Sequence, residues 1–254
     1  MPAGFQMIRS AIALVTFVVE TIVLATIAVL SGLLDRSGET VFRIARFWAR
    51  LVLGVPGVRV KVVERVPLDP TRPYVFMCNH ASMIDIWASF VAVPVSFRFI
   101  AKKQLARIPL FGWAMWAGRF IFIDRQNAVA ARRSIEEAAR RIKSGQSVLI
   151  YPEGTRTRDG RLMPFKKGGF HLAIDSGVDI VPMAIEGTRT LMPRGAMLIR
   201  AGEVRLQIGE PIPTKGLGPN DRERLVKEVR DRIAEMLGEP AAAPTTDKAV
   251  NKLL

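Results

Sequence analysis

Residues 74–93 read YVFMCNHASMIDIWASFVAV, and this stretch sets the pattern that the rest of the chain repeats. Its first five residues are an apolar run of strand length, and residues 82–93 are an apolar run of helical length that Pro94 ends. A strand that leads directly into a helix is the repeating unit of an α/β fold with a parallel sheet. We therefore expect the polar junction around His80 to lie where a strand ends, which is where such folds place their sites.

The same alternation continues on both sides of this stretch. Further strands are predicted at residues 58–66, 98–101, 119–123, 146–151, 180–185 and 204–208. Helices are predicted at residues 128–143 and 165–175, around Trp113 and Trp116, and from a cap at Asn220 to about Leu237. The sequence thus predicts an α/β fold, a mostly parallel central sheet flanked by helices, preceded by an N-terminal two-helix membrane anchor.

The first helix of this anchor is predicted from residues 10–34, SAIALVTFVVETIVLATIAVLSGLL, where Glu20 is the only charge. A helix of this length spans about 35 Å, enough for the ~30 Å hydrocarbon core of a bilayer. A cleaved signal peptide is the weaker interpretation, because the run is longer than a signal core and contains a carboxylate. Whether this helix crosses the bilayer or only dips into it stays open.

A second helix with a different character is predicted at residues 41–58. Arg43, Arg46 and Arg50 recur along one face, and aromatic side chains such as Phe47 lie around them. This pattern is typical of a helix in the membrane interface, with its guanidiniums toward lipid phosphates. A hairpin buried in the core is the alternative. The arginines also indicate that the following chain is cytoplasmic.

These patterns divide the chain into three parts. We expect a membrane-anchoring helical hairpin at residues 1–57, an α/β catalytic domain at residues 58–238 and a flexible tail at residues 239–254.

The composition limits the possible partners. The 254 residues include 37 Lys and Arg against 23 Asp and Glu, a net charge of +14, which favours nucleic acid, an anionic membrane or a phosphorylated substrate. Nucleic acid is not expected, because the basic residues are dispersed and lack interleaved aromatics. One Cys and two His exclude a structural Cys/His zinc site, and no metal is expected.

The first candidate constellation is His80 with Asp85. Positions five apart lie about 140° apart around a regular helix, so the two side chains meet only if His80 lies outside the helix. Asp85 would then bind one ring nitrogen and leave the other facing a substrate. A helix-capping histidine without chemistry is the alternative, and this pair alone does not decide between the two.

The second constellation, residues 151–157 (YPEGTRT), directly follows another apolar strand. Gly154 allows backbone N–H groups to approach an anion, Thr155 offers a hydroxyl, and Arg156 offers a planar fork suited to phosphate. Glu153 is expected to orient Arg156 or to contact a substrate hydroxyl. Taken alone, this segment is more often an ordinary turn than a binding loop.

Together, in this order and about seventy residues apart, the two blocks resemble the 1-acylglycerol-3-phosphate acyltransferase family of glycerolipid acyltransferases. Residues 118–125 (GRFIFIDR) and 180–185 (IVPMAI) resemble its second and fourth motifs. Residues 101–105 and 165–168 are similar to its basic blocks, with Gln104 where an acidic residue is more usual. The resemblance runs from about Tyr74 to Pro213.

The resemblance implies an O-acyltransferase. The expected reaction moves a fatty acyl group from acyl-CoA or an acyl-carrier protein to the 2-hydroxyl of 1-acyl-sn-glycerol 3-phosphate, forming phosphatidic acid in phospholipid biosynthesis. The implied catalytic residues are His80 as base and Asp85 as its orienting partner. The implied substrate-binding residues are Glu153, Gly154, Thr155 and Arg156, with Arg125, Lys102 and Lys103 as further phosphate contacts.

The same resemblance implies where the protein works and what it needs. No cofactor is expected, because the thioester is already activated. The expected partners are membrane lipids, lysophosphatidic acid and the acyl donor, at the cytoplasmic face of the inner membrane if the source is bacterial. Asn79 or backbone N–H groups near it are suggested as donors to the oxyanion of the intermediate.

Three alternative functions stay open at this point. They are an acyltransferase for another lysolipid, such as a lyso-amino-acid lipid, a hydrolase, and a non-enzymatic basic membrane-binding protein. Two other side chains are given structural roles. His171 lies in an apolar predicted helix, and Cys78 ends an apolar strand without an adjacent cation to activate its thiol.

Overall fold

The computed structural model describes residues 3–64, 66–124 and 128–239. The helices are α1 (Ala3–Leu34), α2 (Glu39–Gly54), α3 (Ile84–Ala92), α4 (Phe111–Ala117), α5 (Ala128–Lys143), α6 (Gly168–Ser176), α7 (Thr188–Leu191) and α8 (Arg222–Met236). The strands are β1 (Val58–Glu64), β2 (Val75–Cys78), β3 (Phe97–Lys102), β4 (Ile121–Ile123), β5 (Ser147–Ile150), β6 (Ile180–Glu186) and β7 (Gly202–Ile208). Short 3₁₀ turns lie at Lys103–Arg107 and Pro219–Asp221.

The strands form one seven-stranded sheet in the order β1-β7-β6-β2-β5-β3-β4. Only β6 and β7 pair antiparallel, and every other neighbouring pair is parallel. The strands β1 and β7 therefore run opposite to the other five. The predicted α/β fold with a mostly parallel sheet is confirmed.

This strand order brings the two motif blocks together. Because β2 and β5 are parallel neighbours, their carboxyl ends lie about 4.8 Å apart at one edge of the sheet. The junction that contains His80 follows β2, and the segment that begins with Tyr151 follows β5. The carboxyl ends of β6, β3 and β4 lie at the same edge.

Two apolar layers cover the sheet. On one face, α2 and α3 bury Phe42 and Trp87 against strand residues such as Phe97. On the other face, α5, α6 and α8 bury their apolar stripes in a second cluster that includes Ile142, Phe170 and Val229. Burial of each large apolar side chain contributes about 1.5–3 kcal/mol, so both helical layers stabilise the sheet.

The second N-terminal helix packs more deeply than an interfacial helix would. Phe42 is 3% exposed, and Arg46 donates from Nε to the Phe90 carbonyl (2.9 Å) and from Nη2 to the Val93 carbonyl. The expectation that Arg46 faces lipid phosphates is therefore wrong, because its guanidinium satisfies carbonyls at the end of α3 that have no helical partner. Arg43 and Arg50 do lie exposed on this helix.

The first helix has the opposite character. Within the described ranges, α1 is the helix long and apolar enough to cross a membrane, over Ile12–Leu34 with a mean hydropathy of 2.5. It is nevertheless attached to the rest of the fold, since Trp48 Nε1 donates to Thr21 Oγ1 across 3.0 Å.

The N-cap of the last helix lies one residue later than predicted. Asn220 lies within a 3₁₀ turn, and Asp221 occupies the N-cap position of α8. The Asp221 carboxylate accepts the Gly218 N–H at 2.9 Å and so closes that turn. The predicted Asn220 cap is therefore wrong.

Candidate active site

The His80 side chain is fixed by Asp85. His80 lies in the junction after β2, outside α3, which begins at Ile84, and its Nδ1 lies 2.8 Å from Asp85 Oδ2. The same carboxylate oxygen accepts the N–H groups of Ala81 (2.7 Å) and Ser82 (2.8 Å), and Asp85 is fully buried. The carboxylate is thus held by the backbone before it orients the imidazole, as the i, i+5 spacing requires.

Nδ1 therefore serves as the N–H donor to Asp85, which leaves Nε2 of the neutral ring as the acceptor. In the part of the chain that the structure describes, Nε2 has no hydrogen-bond partner, and the side chain is 13% exposed. The free nitrogen is the one that a substrate can reach.

A flat aromatic surface supports the imidazole. The Tyr151 ring stacks on His80 with centroids 4.0 Å apart and an interplanar angle of 13°, and Phe99 stacks on Tyr151 at 5.9 Å. Burial raises the pKa of the Tyr151 phenol well above its usual range, so this ring stays neutral. Nothing in the sequence pattern assigned Tyr151 a role. Only its position directly before the Glu153 segment marked it.

The second motif is tied to the histidine backbone. His80 N–H donates to Glu153 Oε1 (2.7 Å), and the Thr157 N–H donates to the His80 carbonyl (2.8 Å). The other Glu153 oxygen accepts the Met163 N–H at 3.0 Å. The turn after β5 and the junction after β2 therefore form one hydrogen-bonded unit.

The position of Glu153 corrects its predicted contacts. Its side chain is 2% exposed and both oxygens accept backbone N–H groups, so it neither orients Arg156 nor faces a substrate hydroxyl. Burial raises the pKa of this carboxyl to about 7. Glu153 holds the loop that carries its neighbours.

The turn itself presents cations around a glycine. Gly154 has φ +75°, and a Cβ there would lie 2.9 Å from Lys166 Cε, so the Lys166 side chain crosses close to the turn. Arg156 is partly exposed and Thr155 is exposed in the same turn. This arrangement suits an anion. Lys166 belongs to the basic block at residues 165–168, but no sequence pattern predicted that it would contact this turn.

The remaining predicted contacts lie further along the edge. Lys102 ends β3, two strands from β2, which is about 10 Å. Lys103 Nζ lies 3.5 Å from Asp124 Oδ2. The side chains of Lys102 and Lys103 are both exposed. Arg125 lies outside the described residues. The structure thus joins His80 to the Glu153 segment and leaves the two lysines at a distance.

The Asn79 amide is held by β6. Its Nδ2 donates to the Ile185 carbonyl (2.9 Å) and its Oδ1 accepts the Ile185 N–H (2.8 Å), so both amide atoms bind β6. These bonds use one of the two N–H groups of Nδ2, so the role of Asn79 as an oxyanion donor stays a prediction.

Cys78 and His171 occupy structural positions. Cys78 is buried, and burial raises the pKa of its thiol well above the usual range, which opposes a thiolate nucleophile. His171 lies on α6, where its Nε2 is 2.8 Å from Arg222 Nη1 of α8. Neither side chain contributes to the His80 site. No group of three or more His, Cys, Asp or Glu suited to a metal occurs within the described ranges.

These contacts define a class of protein. An imidazole that is oriented by a carboxylate and has one free nitrogen can take a proton from a hydroxyl. The neighbouring turn can hold an anionic group of the same molecule. The protein has an α/β fold with an oriented His–Asp pair at the carboxyl ends of its parallel strands.

The family follows from comparison with known sequences. The Acyltransferase family profile matches residues 58–186, about half of the chain and the part that carries both motif blocks. The chain belongs to the acyltransferase family.

Individual relatives refine the likeness. The chain is 34% identical over 197 residues to a chloroplastic 1-acyl-sn-glycerol-3-phosphate acyltransferase of Brassica napus, covering 76% of this chain and 55% of that protein. It is 32% identical over 184 residues to the human 1-acyl-sn-glycerol-3-phosphate acyltransferase alpha, covering 72% of this chain and 65% of that protein. The chain thus spans between half and two thirds of the length of these relatives.

A solved structure matches over almost the whole chain. The crystal structure of the 1-acyl-sn-glycerophosphate acyltransferase PlsC from Thermotoga maritima superposes with a TM-score of 0.73 at 27% identity. The match covers 94% of this chain and 100% of that one, so it includes the N-terminal helices as well as the sheet.

Proposed function

We propose that this protein transfers a fatty acyl group from acyl-CoA or an acyl-carrier protein to the 2-hydroxyl of 1-acyl-sn-glycerol 3-phosphate, forming phosphatidic acid. The observation that carries the proposal is the contact of 2.8 Å between His80 and Asp85, next to the turn that contains Arg156. The names of the relatives support this acceptor over other lysolipids.

In the proposed reaction, His80 Nε2 removes the proton of the acceptor hydroxyl. At the same time, the hydroxyl oxygen attacks the thioester carbonyl carbon. The C–O bond forms, the tetrahedral intermediate collapses with cleavage of the C–S bond, and the imidazolium returns its proton to the departing thiolate. Asp85 stabilises the imidazolium between these steps. A base positioned in this way accounts for about 10²–10⁴ in rate.

The acceptor phosphate is proposed to bind at the turn after β5. Arg156 offers two parallel N–H donors, and the Lys166 side chain lies against the turn in the space beside Gly154 that a side chain there would fill. Thr155 adds an exposed hydroxyl. Lys102, Lys103 and Arg125 are proposed as outer contacts that attract the anion toward the edge of the sheet.

The membrane location is part of the same proposal. We assign residues 1–57 to anchoring, residues 58–238 to the catalytic domain and residues 239–254 to the tail, with the domain on the cytoplasmic face. Support comes from α1, whose apolar window is long enough to cross a bilayer. The lysolipid acceptor and the diacyl product both reside in that bilayer.

The proposal is tested by offering the purified protein a labelled acyl-CoA with lysophosphatidic acid and measuring phosphatidic acid by mass spectrometry. His80→Ala is expected to lower the rate about 10²–10⁴-fold. His171→Ala is the matched control, because it removes the other imidazole of the chain, and it should keep most of the activity. A rate of acyl transfer in His80→Ala close to that of the wild type would contradict the proposal.

The acceptor is tested separately. Arg156→Glu should raise the KM for lysophosphatidic acid strongly, whereas Arg59→Glu on the distant edge strand β1 should not. The raised KM should vanish with a lysolipid that lacks a phosphate. Free fatty acid as the main product would instead indicate a hydrolase.

A further inference from the structure

Helix α4 displays aromatic side chains that the core does not use. Trp113 is 56% exposed and Trp116 is 77% exposed, and Ile108, just before the helix, is 45% exposed. The same helix is attached to the core, because Met115 packs against the cluster that contains Phe97 and Phe120. Adjacent large exposed aromatics on an anchored helix mark a binding surface rather than a packing fault.

This surface is continuous with the end of α1. Gly32 of α1 lies so close to α4 that a Cβ there would be 2.6 Å from the Ala117 Cβ. Just beyond this contact, Leu33 is 75% exposed and Leu34 is 92% exposed. The apolar end of α1 and the tryptophans of α4 therefore form a single surface, defined by Ile108, Trp113, Trp116, Leu33 and Leu34 and called here the tryptophan surface.

The backbone on both sides of α4 is constrained. Leu110 before the helix and Arg119 after it both have φ 59°, a left-handed conformation that is uncommon for residues other than glycine. Gly112 is needed because a Cβ there would overlap the Ala106 carbonyl oxygen. Residues held in unfavourable conformations at both ends fix the orientation in which α4 presents its tryptophans.

Exposed arginines lie around the tryptophan surface. Arg107 precedes α4, Arg119 follows it, and Arg36 lies in the turn after α1, in which Gly38 approaches Gly118. The nearby carboxylates already have other partners, since Asp35 accepts N–H groups of its own turn and Glu39 pairs with Arg98. Indole rings with a basic rim fit the interfacial region of a bilayer that carries anionic headgroups.

We propose that the tryptophan surface docks on an anionic lipid bilayer, so that the catalytic domain touches the membrane through α4 and not only through the N-terminal helices. The 3₁₀ turn Lys103–Arg107 leaves β3 at the carboxyl edge, so α4 starts at the edge where His80 lies. Docking there sets the orientation of the site relative to the headgroups. The inference rests on the membrane location in the proposed function, but not on the reaction.

A site-specific fluorophore tests the docking. Cys78 is the single cysteine of the chain and is buried, so an introduced cysteine is labelled selectively. An environment-sensitive dye at Trp116→Cys in the full-length protein should shift to shorter wavelength on vesicles and be quenched by brominated lipid. The effect should be larger with phosphatidylglycerol vesicles than with pure phosphatidylcholine. Glu235→Cys, exposed on α8 in the helical layer that covers the other face of the sheet, is the control, and its dye should stay in a water-exposed environment.

Two outcomes would overturn the inference. In the first, the dye at Trp116→Cys stays as water-exposed as the dye at Glu235→Cys on both kinds of vesicle. A dye response that depends on protein concentration in detergent, without vesicles, is the second, because it would assign the surface to a second copy of the chain. The readout is optical, so it succeeds or fails independently of transferase activity.

A kinetic experiment uses the unlabelled surface. The double variant Trp113→Ser, Trp116→Ser should raise the apparent KM for acceptor presented in phosphatidylglycerol vesicles several-fold. With the acceptor in detergent micelles, its rate should match the wild type. An equal loss in both assays would argue against docking and for a packing role of the indoles.

Discussion

The backbone N–H of His80 donates a hydrogen bond to Oε1 of Glu153 across 2.7 Å. The histidine that carries the proposed chemistry is therefore positioned from two directions, by Asp85 through its ring and by Glu153 through its backbone. Because Glu153 belongs to the turn that also contains Arg156, the base and the proposed phosphate site move as one unit. This relationship keeps the proposed base and the proposed phosphate site at a fixed separation.

Glu153 makes the stability of the fold depend on pH. Its folded pKa is about 7 and its ordinary value is 4.5, so between these values the folded state keeps a proton that the unfolded state has lost. The free energy of unfolding that Glu153 contributes is thus fully present below pH 4.5. It falls, by on the order of 3 kcal/mol, as pH rises to 7.

This effect is isolated by comparing the wild type with Glu153→Gln. The free energy of unfolding of both proteins is measured by urea unfolding in detergent from pH 4.5 to pH 7.5. The amide cannot titrate, and its NH₂ facing a backbone N–H lowers stability by the same amount at every pH. The difference between the two proteins should therefore change across this window. Parallel curves would show that the Glu153 carboxyl keeps its ordinary pKa.

Asp85→Asn tests the carboxylate charge apart from its geometry. Because Ala81 and Ser82 N–H groups both point to Oδ2, the amide oxygen of Asn should take that place and still accept Nδ1–H. We expect kcat to fall on the order of 10–10²-fold, less than in Asp85→Ala, where the imidazole also loses its orientation.

Nitrogen-15 NMR checks this explanation, since the chain has only two histidines. The Nδ1–H tautomer of His80 should persist in Asp85→Asn and become mixed in Asp85→Ala. An equal loss of kcat in both variants, with the tautomer changed in Asp85→Asn, would contradict the assignment of Oδ2 as the fixed acceptor.

Tyr151 is expected to act as a positioning residue through its ring. Tyr151→Phe keeps the stack on His80 and loses only a hydroxyl contact of 3.4 Å with Ser89, so its kcat should stay within about twofold of wild type. Tyr151→Leu removes a stacked pair worth about 0.5–1.5 kcal/mol and should lower kcat about tenfold with little change in KM. Steady-state kinetics separates the two. A Leu variant with a raised KM and normal kcat would place Tyr151 in substrate binding instead.

The sequence predicted those features that depend on local pattern. The alternation of apolar strands and amphipathic helices gave the sheet, and α5 has the bounds expected from its periodicity. The spacing of His80 and Asp85 required the histidine to lie outside α3, as it does. Local pattern carries this information because strand and helix periods are set within a few residues.

What the sequence could not predict depends on contacts between distant segments. The bond between His80 and Glu153 joins residues 73 positions apart, and Arg46 meets α3 carbonyls 44 and 47 positions away. By residue type alone, the side chains of Glu153 and Arg46 would both be expected at the surface. Tertiary packing buried them instead, because each found backbone partners that lacked others.

Arg98 is the last test, because it links three segments around α4. It is 1% exposed, donates from Nε to the Gly118 carbonyl (2.6 Å), from Nη2 to Glu39 (2.9 Å) and from Nη1 to Ser96 (2.8 Å). Burial lowers its pKa, and Glu39 opposes that shift, so the guanidinium keeps its charge through its partners.

Arg98→Met should lower stability by about 2–4 kcal/mol, since it leaves the Gly118 carbonyl at the end of α4 without its donor. Glu39→Gln is the matched control and should cost under about 1 kcal/mol, because the Glu39 side chain is 47% exposed and an amide oxygen still accepts. For a chain of this size, the first change corresponds to a fall in Tm of roughly 4–16 °C. Hydrogen exchange should rise within α4 in Arg98→Met and not in Glu39→Gln. Equal Tm values for the two variants would mean that α4 is held by its apolar contacts alone, and that the buried guanidinium does not fix the helix that carries the tryptophans.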